Sequence, residues 1–321
     1  MTIDVRPATP ADRTQLLALF RAAFGGEASA DEWAWKYDRN PNPGVSAIAV
    51  ADGEAVGFYG AFGTRYRGAS GDFPGVSAVD VMTDPAARTL GRRALFQKLG
   101  EGYCRLNLEA GVPFYFGFPH ERHRVLGERL LGYRSVEPAG EWTRPLGAPG
   151  FLRRLRTRLR TQRASAGLSA GHAALAEALH ARPGWRTDRS RRALDWRFSR
   201  PGAAYLVREL PGPRAASRGY AAVRIVGDRA LLVDLQVADE TSGAVFDLLD
   251  DVAEALRGSS AARLVLRASR ASRLAGRLEA EGGFAPVAAD CHFEVRPLDE
   301  AFDLASASRA FDYRFLDHDV F

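Results

Sequence analysis

The sequence predicts an α/β protein of two tandem mixed β-sheet units, each with helices on both faces of its sheet. Three observations predict it. Short apolar strands alternate with helices of amphipathic period. The order of elements in the first half recurs in the second. Three short residue patterns recur in that same order.

The first unit reads as follows. Ile3 to Pro7 is a short strand. Thr9-Pro10-Ala11-Asp12 starts a helix, with Thr at the cap, Pro in the first turn and an acid near the positive end. Leu16, Leu19, Phe20, Ala23 and Phe24 follow at helical spacing, and Gly25-Gly26 ends the run. A second short helix covers Asp31 to Tyr37. Strands Ala47 to Ala51 and Ala55 to Phe62 flank the hairpin signal Asp52-Gly53. Val76 to Met82 is nearly continuously apolar, as a central strand is. A long helix from Arg92 to Ala110, a strand Pro113 to Phe118, a helix Arg122 to Leu131 and a strand opening at Tyr133 complete the unit.

Residues 145–195 differ. Phe151 to Arg160 alternates apolar residues with arginines and reads as an amphipathic basic linker helix. After it the first half recurs. Trp35-Lys36-Tyr37 is echoed by Trp196-Arg197-Phe198, Val79-Asp80-Val81 by Val233-Asp234-Leu235, and Leu131-Gly132-Tyr133 by Gly282-Gly283-Phe284. The spacing between matched anchors shrinks slightly along the chain, as a duplication with small deletions produces. Strands 205–210, 220–225, 230–237 and 263–268 and helices 243–256 and 270–281 lie between the anchors in the matching order. The expected division is 1–144, a linker at 145–195, and 196–321, ending in an acidic, aromatic tail.

Composition narrows the function. A chain of 321 residues suits two domains, and 46% hydrophobic with 26% charged residues is ordinary for a globular protein. Cys104 and Cys291 make neither a disulfide framework nor a metal cluster and point to a reducing compartment. Asp4, Arg6, Asp12 and Arg13 interrupt any signal-peptide core, and no apolar run spans a bilayer. The expectation is a cytoplasmic protein with no membrane partner. The net charge of +5 suits a polyanionic cofactor, and no aromatic stacking pattern accompanies the arginines to suggest nucleic acid. His120 and His123 lack a third ligand in view, so no metal is expected.

The most informative stretch runs from Val79 to Leu99: a strand, a turn with Pro85, a basic glycine-containing loop and a long helix. The first turn of a helix carries unpaired N–H groups and partial positive charge, which suit a pyrophosphate. Gly91 lets the backbone approach closely, and Arg88, Arg92 and Arg93 add charge-assisted bonds. A solvated strand-turn-helix is the other reading of the same residues. Asp80 is an acid inside an otherwise apolar strand, and burial suits an acid to take a proton. Asp234 at the matching place argues instead for a structural acceptor.

Over residues 1–137 these features resemble the GNAT superfamily of acyl-CoA-dependent N-acyltransferases. Val79 to Pro85 looks like its fourth strand and exit turn, and Arg88 to Arg93 resembles its pyrophosphate loop. Trp35-Lys36-Tyr37 and Gly117-Phe118-Pro119 resemble a subgroup of tandem bacterial members with a degenerate second unit. The resemblance implies acetyl-CoA, or another acyl-CoA, as co-substrate, held by Val81, Met82, Thr83, Arg88, Gly91, Arg92, Arg93 and Ala94. It implies transfer to a primary amine of a small molecule by direct attack with a general base. Asp80, Glu121 and Glu128 are the candidate catalytic residues. Two departures stand out. Arg93 occupies a loop position where Gly or Ala is usual, and Glu128 stands where the family's proton-donating Tyr usually does. Tyr59, Tyr115 and Tyr133 are the candidate substitutes. The departures motivate an alternative, a catalytically silent module that binds CoA or a partner. The duplication suits a monomer, and single-unit members suggest a dimer.

Overall fold

A computed structural model describes residues 3–68, 71–87, 91–146, 165–309 and 311–318. The basic segment 151–160 and Arg88 lie outside them.

Local chemistry sets the opening elements. Strand β1 (Ile3–Pro7) leads into a 3-10 turn, Pro10–Asp12. Asp12 accepts from the Thr9 amide at 2.8 Å and pairs with Arg6 at 2.6 Å. Arg6 first, then Thr9, holds the Asp12 carboxyl far below its ordinary pKa against the opposing effect of burial. Helix α1 (Arg13–Phe24) stops at Gly25, whose φ of 72° is left-handed. Helix α2 (Ala30–Trp33), capped by Ser29, runs on as a π-helical turn over Ala34–Asp38. Strands β2 (Ala47–Ala51) and β3 (Glu54–Gly68) turn at Asp52-Gly53, both at positive φ, as a two-residue hairpin with matching twist requires. Strand β4 (Gly71–Thr83), helix α3 (Arg92–Glu109), strand β5 (Phe114–Gly117), helix α4 (Glu121–Leu131) and strand β6 (Arg134–Pro145) follow. Strands β3 and β4 run well past the expected bounds because their outer ends pair each other, from Gly63↔Val76 to Gly68↔Gly71.

The second half repeats the order. It comprises β7 (Ser165–Ala166), α5 (His172–His180), β8 (Arg186–Thr187), α6 (Arg191–Phe198), β9 (Leu206–Pro211), β10 (Ser217–Val226) and β11 (Arg229–Val237). Then come α7 (Ala244–Ala255), β12 (Arg263–Ala268), α8 (Arg273–Glu281), β13 (Ala285–Pro297) and a short α9 (Leu304–Ser308). Among the described residues, β8, which pairs with β3, and α9, which follows β13, have no counterpart in the first half. No helix among the described residues is long and apolar enough to cross a membrane.

The strands join one mixed sheet in the order β1-β2-β3-β4-β5-β13-β6-β12-β11-β10-β9-β7. The last strand of each half has changed places. Strand β13 pairs with β5 of the first half, and β6 pairs with β12 of the second. The two exchanged strands pair antiparallel with each other at the centre, from Ala285↔Thr143 to Val295↔Arg134.

Helices cover both faces. Leu95, Leu99, Tyr103 and Leu106 of α3 pack on Ala49, Tyr59 and Tyr115. Leu16 and Leu19 of α1 pack on Ile48, Phe58 and Met82, which alternate to the opposite face. Leu248, Leu249, Leu274 and Leu278 of α7 and α8 cover one face of the second half. The acidic, aromatic tail docks. Phe311 and Tyr313 pack with Phe116, Phe118 and Phe293, and Phe315 and Leu316 with Leu231, Val233 and Val265.

The matched anchors touch each other. The Trp35 indole N–H donates to the Trp196 carbonyl at 2.9 Å, and the Trp196 N–H donates to the Trp35 carbonyl at 3.1 Å. The rings stack at 5.1 Å. This is the reciprocal contact a pseudo-twofold axis between like units produces.

The exchange predicts that neither half is complete alone. Residues 1–146 leave β5 without β13 and β6 without β12. That fragment is expected to show no cooperative unfolding transition by circular dichroism until a fragment of residues 147–321 is added. A cooperative melt of the first fragment alone would show that the halves fold independently.

Candidate active site

Strands β4 and β5 pair in parallel only at Val76↔Tyr115 and Ser77↔Phe116. Beyond that point β4 continues to Thr83, still bonded to β3 on its other edge as far as Gly57↔Thr83. From Ala78 onward the edge of β4 that faces β5 therefore has no strand partner. Its N–H and C=O groups are available to a ligand with amide-like groups of its own.

A bulge sits in this open stretch. Phe58 faces Met82 and Gly60 faces Val79, so β4 carries one residue more than β3 across the interval. Asp80 there has φ of 48°, a left-handed value that Asp tolerates. The bulge re-aims its side chain. Oδ2 accepts from the Lys36 ammonium at 2.9 Å and the Tyr37 hydroxyl at 2.6 Å. Both donors come from the π-helical turn. Gly60 makes the approach possible, since a Cβ there would lie 2.4 Å from the Tyr37 hydroxyl. Sequence reasoning found Asp80 as an acid in an apolar strand but missed these partners, because they arrive from a segment more than forty residues earlier.

Val81 packs toward α3 and Met82 toward α1. After Thr83, Asp84 closes the exit turn by accepting from the Ala86 amide at 2.8 Å. Gly91 then precedes α3 at φ of 70°. A Cβ there would meet only Ala94 at 3.8 Å, so its backbone conformation and not crowding calls for glycine. The Leu95 amide makes the first helical bond, to the Gly91 carbonyl at 3.0 Å. The amides of Arg92, Arg93 and Ala94 precede that bond and carry the positive end of the helix. Arg93 and Ala94 are exposed. The open edge at Val81–Thr83 and the helix end at 91–94 are thus consecutive parts of one strand–turn–helix.

The two other candidate carboxylates lie on α4. Glu121 pairs with Arg124 at 2.6 Å and Glu128 with the same arginine at 2.8 Å. Arg124 holds the exposed Glu121 carboxyl below its ordinary pKa. Neither shares a partner with Asp80.

The candidate tyrosines do come together. Tyr59 and Tyr133 share a hydroxyl–hydroxyl hydrogen bond. Tyr103 and Tyr115 pack beside Tyr59 at ring distances of 4.4 and 6.4 Å. Gly127 admits Tyr133, whose ring a Cβ at 127 would strike. Burial pushes all four phenols well above their ordinary range, so they hold their protons tightly.

A fourth carboxylate was missed. Glu294 on β13 is fully buried, opposite Gly117 of β5 and Ser135 of β6. Both its carboxyl oxygens lack a hydrogen-bond partner among the described residues. Burial first, and then the negative field of Glu128, pushes it up to about 8. The signal that singled out Asp80 applies here too, an acid between Phe293 and Val295. What sequence could not supply was the placement of β13 beside β5.

The second half has diverged at the matching places. Asp234 is fully buried, forms an ion pair with the Arg189 guanidinium at 2.7 Å, and accepts hydrogen bonds from Gln236 at 3.0 Å and from the Tyr220 hydroxyl. Arg189 also pairs with Asp317 of the tail at 3.1 Å. The turn after β11 holds Asp239 and Glu240, which repel an anion. A cavity between the halves, lined by Asn42, Phe62, Arg189, Trp196 and Arg197, measures about 30 Å³, room for about one water.

Residues 4–127 match the acetyltransferase (GNAT) domain. No curated protein matches the chain. Among solved structures, a GCN5-related N-acetyltransferase from Kribbella flavida shares the fold at a TM-score of 0.65 and 15% identity, over 93% of this chain and 72% of that one. A probable N-acyltransferase of unknown function from Enterococcus faecalis V583 gives 0.66 and 14%, over 93% and 73%. Eis1 from Mycobacterium abscessus gives 0.58 and 15%, over 96% and 76%.

The state of Glu294 is open to measurement. Its folded value, about 8, lies above the ordinary 4.5. The folded state therefore keeps a proton that the unfolded state loses, and stability falls as pH rises through that window. Each pH unit inside it is worth up to about 1.4 kcal/mol. Glu294→Gln lacks this loss. Its stability relative to the parent, from denaturant midpoints, is expected to rise between about pH 5 and about pH 9. A difference independent of pH would show that Glu294 titrates normally.

Proposed function

We propose, on the match of residues 4–127 to the acetyltransferase (GNAT) domain, that the chain transfers an acetyl group from acetyl-CoA to a primary amine of a small molecule. The observation that carries this reading is the unpaired edge of β4 leading directly into the α3 terminus. The edge suits the two amides of a pantetheine arm, and the helix end suits a pyrophosphate. Bound acetyl-CoA would supply the acyl group as an activated thioester. The residues that would hold it are Val81, Met82 and Thr83 through the strand backbone, and Gly91 to Ala94 through the helix end. Arg93 adds positive charge. The second half has a similar parting, since β11 pairs with β12 only from Arg229 to Leu232, but its following turn carries Asp239 and Glu240 in place of arginines, and it serves as a partner lobe.

The chain's own groups divide the remaining work. A backbone N–H at Val81 or Met82 stabilises the charge that develops on the carbonyl oxygen. Asp80 is the base. Lys36 and Tyr37 fix its carboxylate through Oδ2, and Oδ1 takes the proton that the amine loses.

Calorimetry with acetyl-CoA, followed by free-thiol release across an amine panel, tests the reading. Binding with amine-dependent thiol release is expected. Binding without release on any amine favours the silent module, which the Glu128 departure motivates. Gly91→Asp is expected to abolish acetyl-CoA binding with an unchanged circular dichroism spectrum, because it strains a left-handed position and puts a negative charge at the phosphate site. Unchanged affinity would place the phosphates elsewhere. Asp80→Asn is expected to lower kcat about 100-fold while leaving acetyl-CoA affinity intact. Equal losses in both would make Asp80 structural.

A further inference from the structure

We propose that Glu294, carried on the exchanged strand of the second half, is the proton donor to the departing thiolate at the first half's site. This rests on the acyl-transfer reading above and deepens it. Three observations place it there. Gly117 follows Phe116, the last residue of β5 paired with β4, so it stands at the apex where the two strands part. Glu294 is its partner across the β5–β13 ladder. A Cβ added to Gly117 would find nothing nearer than the Ala78 carbonyl and Pro119, both at 3.8 Å. No side chain at 117 therefore stands between Glu294 and the parting of the strands.

The surroundings keep this acid protonated. Glu294 is fully buried, with both oxygens unpartnered among the described residues, so no hydrogen bond there compensates its negative form. Helix α4 brings Glu121, Arg124 and Glu128 toward it, and two of these three are acids whose charge favours the neutral carboxyl. Along its own strand, His292 places Nε2 3.4 Å from the Glu121 carboxylate and Arg296 lies beside Gly132. Strand β5 contributes Tyr115 opposite Arg296, and β6 contributes Ser135. A carboxyl that titrates at about 8 is an acid at neutral pH. The buried phenols nearby are pushed the other way in usefulness, since they release a proton less readily than free tyrosine.

The step balances. As the bond from amine nitrogen to acyl carbon forms, Asp80 takes the nitrogen's proton. As the bond from carbon to sulfur breaks, its electron pair stays on sulfur and Glu294 gives its carboxyl proton there. The products are amide and free thiol. Asp80 then loses its proton to solvent, and Glu294 regains one.

The test compares the parent, Glu294→Gln and Glu294→Asp in the full chain. Acetyl-CoA affinity is expected to stay within about twofold in all three. Thiol release at neutral pH is expected to fall about 100-fold in Glu294→Gln and to be partly restored in Glu294→Asp. The parent's kcat is expected to decline above about pH 8, and Glu294→Gln to lose that decline. Infrared spectra of the protein without donor are expected to show a protonated carboxyl band at neutral pH that Glu294→Gln lacks. Parent-like turnover in Glu294→Gln, a retained alkaline decline, or no such band overturns the assignment and leaves acyl transfer standing. A parent that does not bind acetyl-CoA, or binds it and releases no thiol, overturns both.

Discussion

Strand exchange is the constraint on which the molecule depends. Because β13 lies between β5 and β6, and β6 lies between β13 and β12, each half's sheet is completed by the other's last strand. The ladders that β6 and β13 form all cross the boundary between the halves. The aromatic core that follows is shared property. Phe114, Phe116 and Phe118 from the first half pack with Phe293, Phe311 and Tyr313 from the second. Unlike two domains on a tether, the halves form one continuous sheet whose cores adjoin at its centre.

The same duplication has two outcomes at the matching acids. Asp234 is sealed by Arg189, Tyr220 and Gln236, and the tail closes over β11 and β12 through Phe315, Leu316 and Asp317. Such a fully desolvated pair depends on every partner, and loss of one strands a charge. Asp80 instead keeps partial exposure, with Lys36 and Tyr37 on a single oxygen. One copy seals its acid among buried partners. The other pairs its acid with Lys36 and Tyr37 and leaves it partly exposed.

Glu294 joins these two themes. It belongs to the second half by sequence and to the first half by position. An unpaired buried carboxyl is costly, and burial here also keeps it protonated. The exchange therefore does more than tie the halves together, because it brings an acid to a site whose own helix presents the salt-bridged Glu128 in place of a tyrosine.

Much of this was legible in the residues. The caps at Thr9 and Gly25, the turn at Asp52-Gly53 and the strand–loop–helix from Val79 to Leu99 are local signals, and the structure builds each of them from near neighbours. The recurrence of Trp35 and Trp196 was equally plain, and those two rings now stack. Periodicity, capping and turn chemistry act over a few residues, so the sequence by itself determined the elements, their order and their repetition. It could not determine which strands pair. Alternation in β6 and β13 is satisfied equally by pairing with the preceding strand of the same half or by exchange across the halves. Only tertiary structure decided for exchange, and with it the partners of Asp80, the docking of the tail and the placement of Glu294.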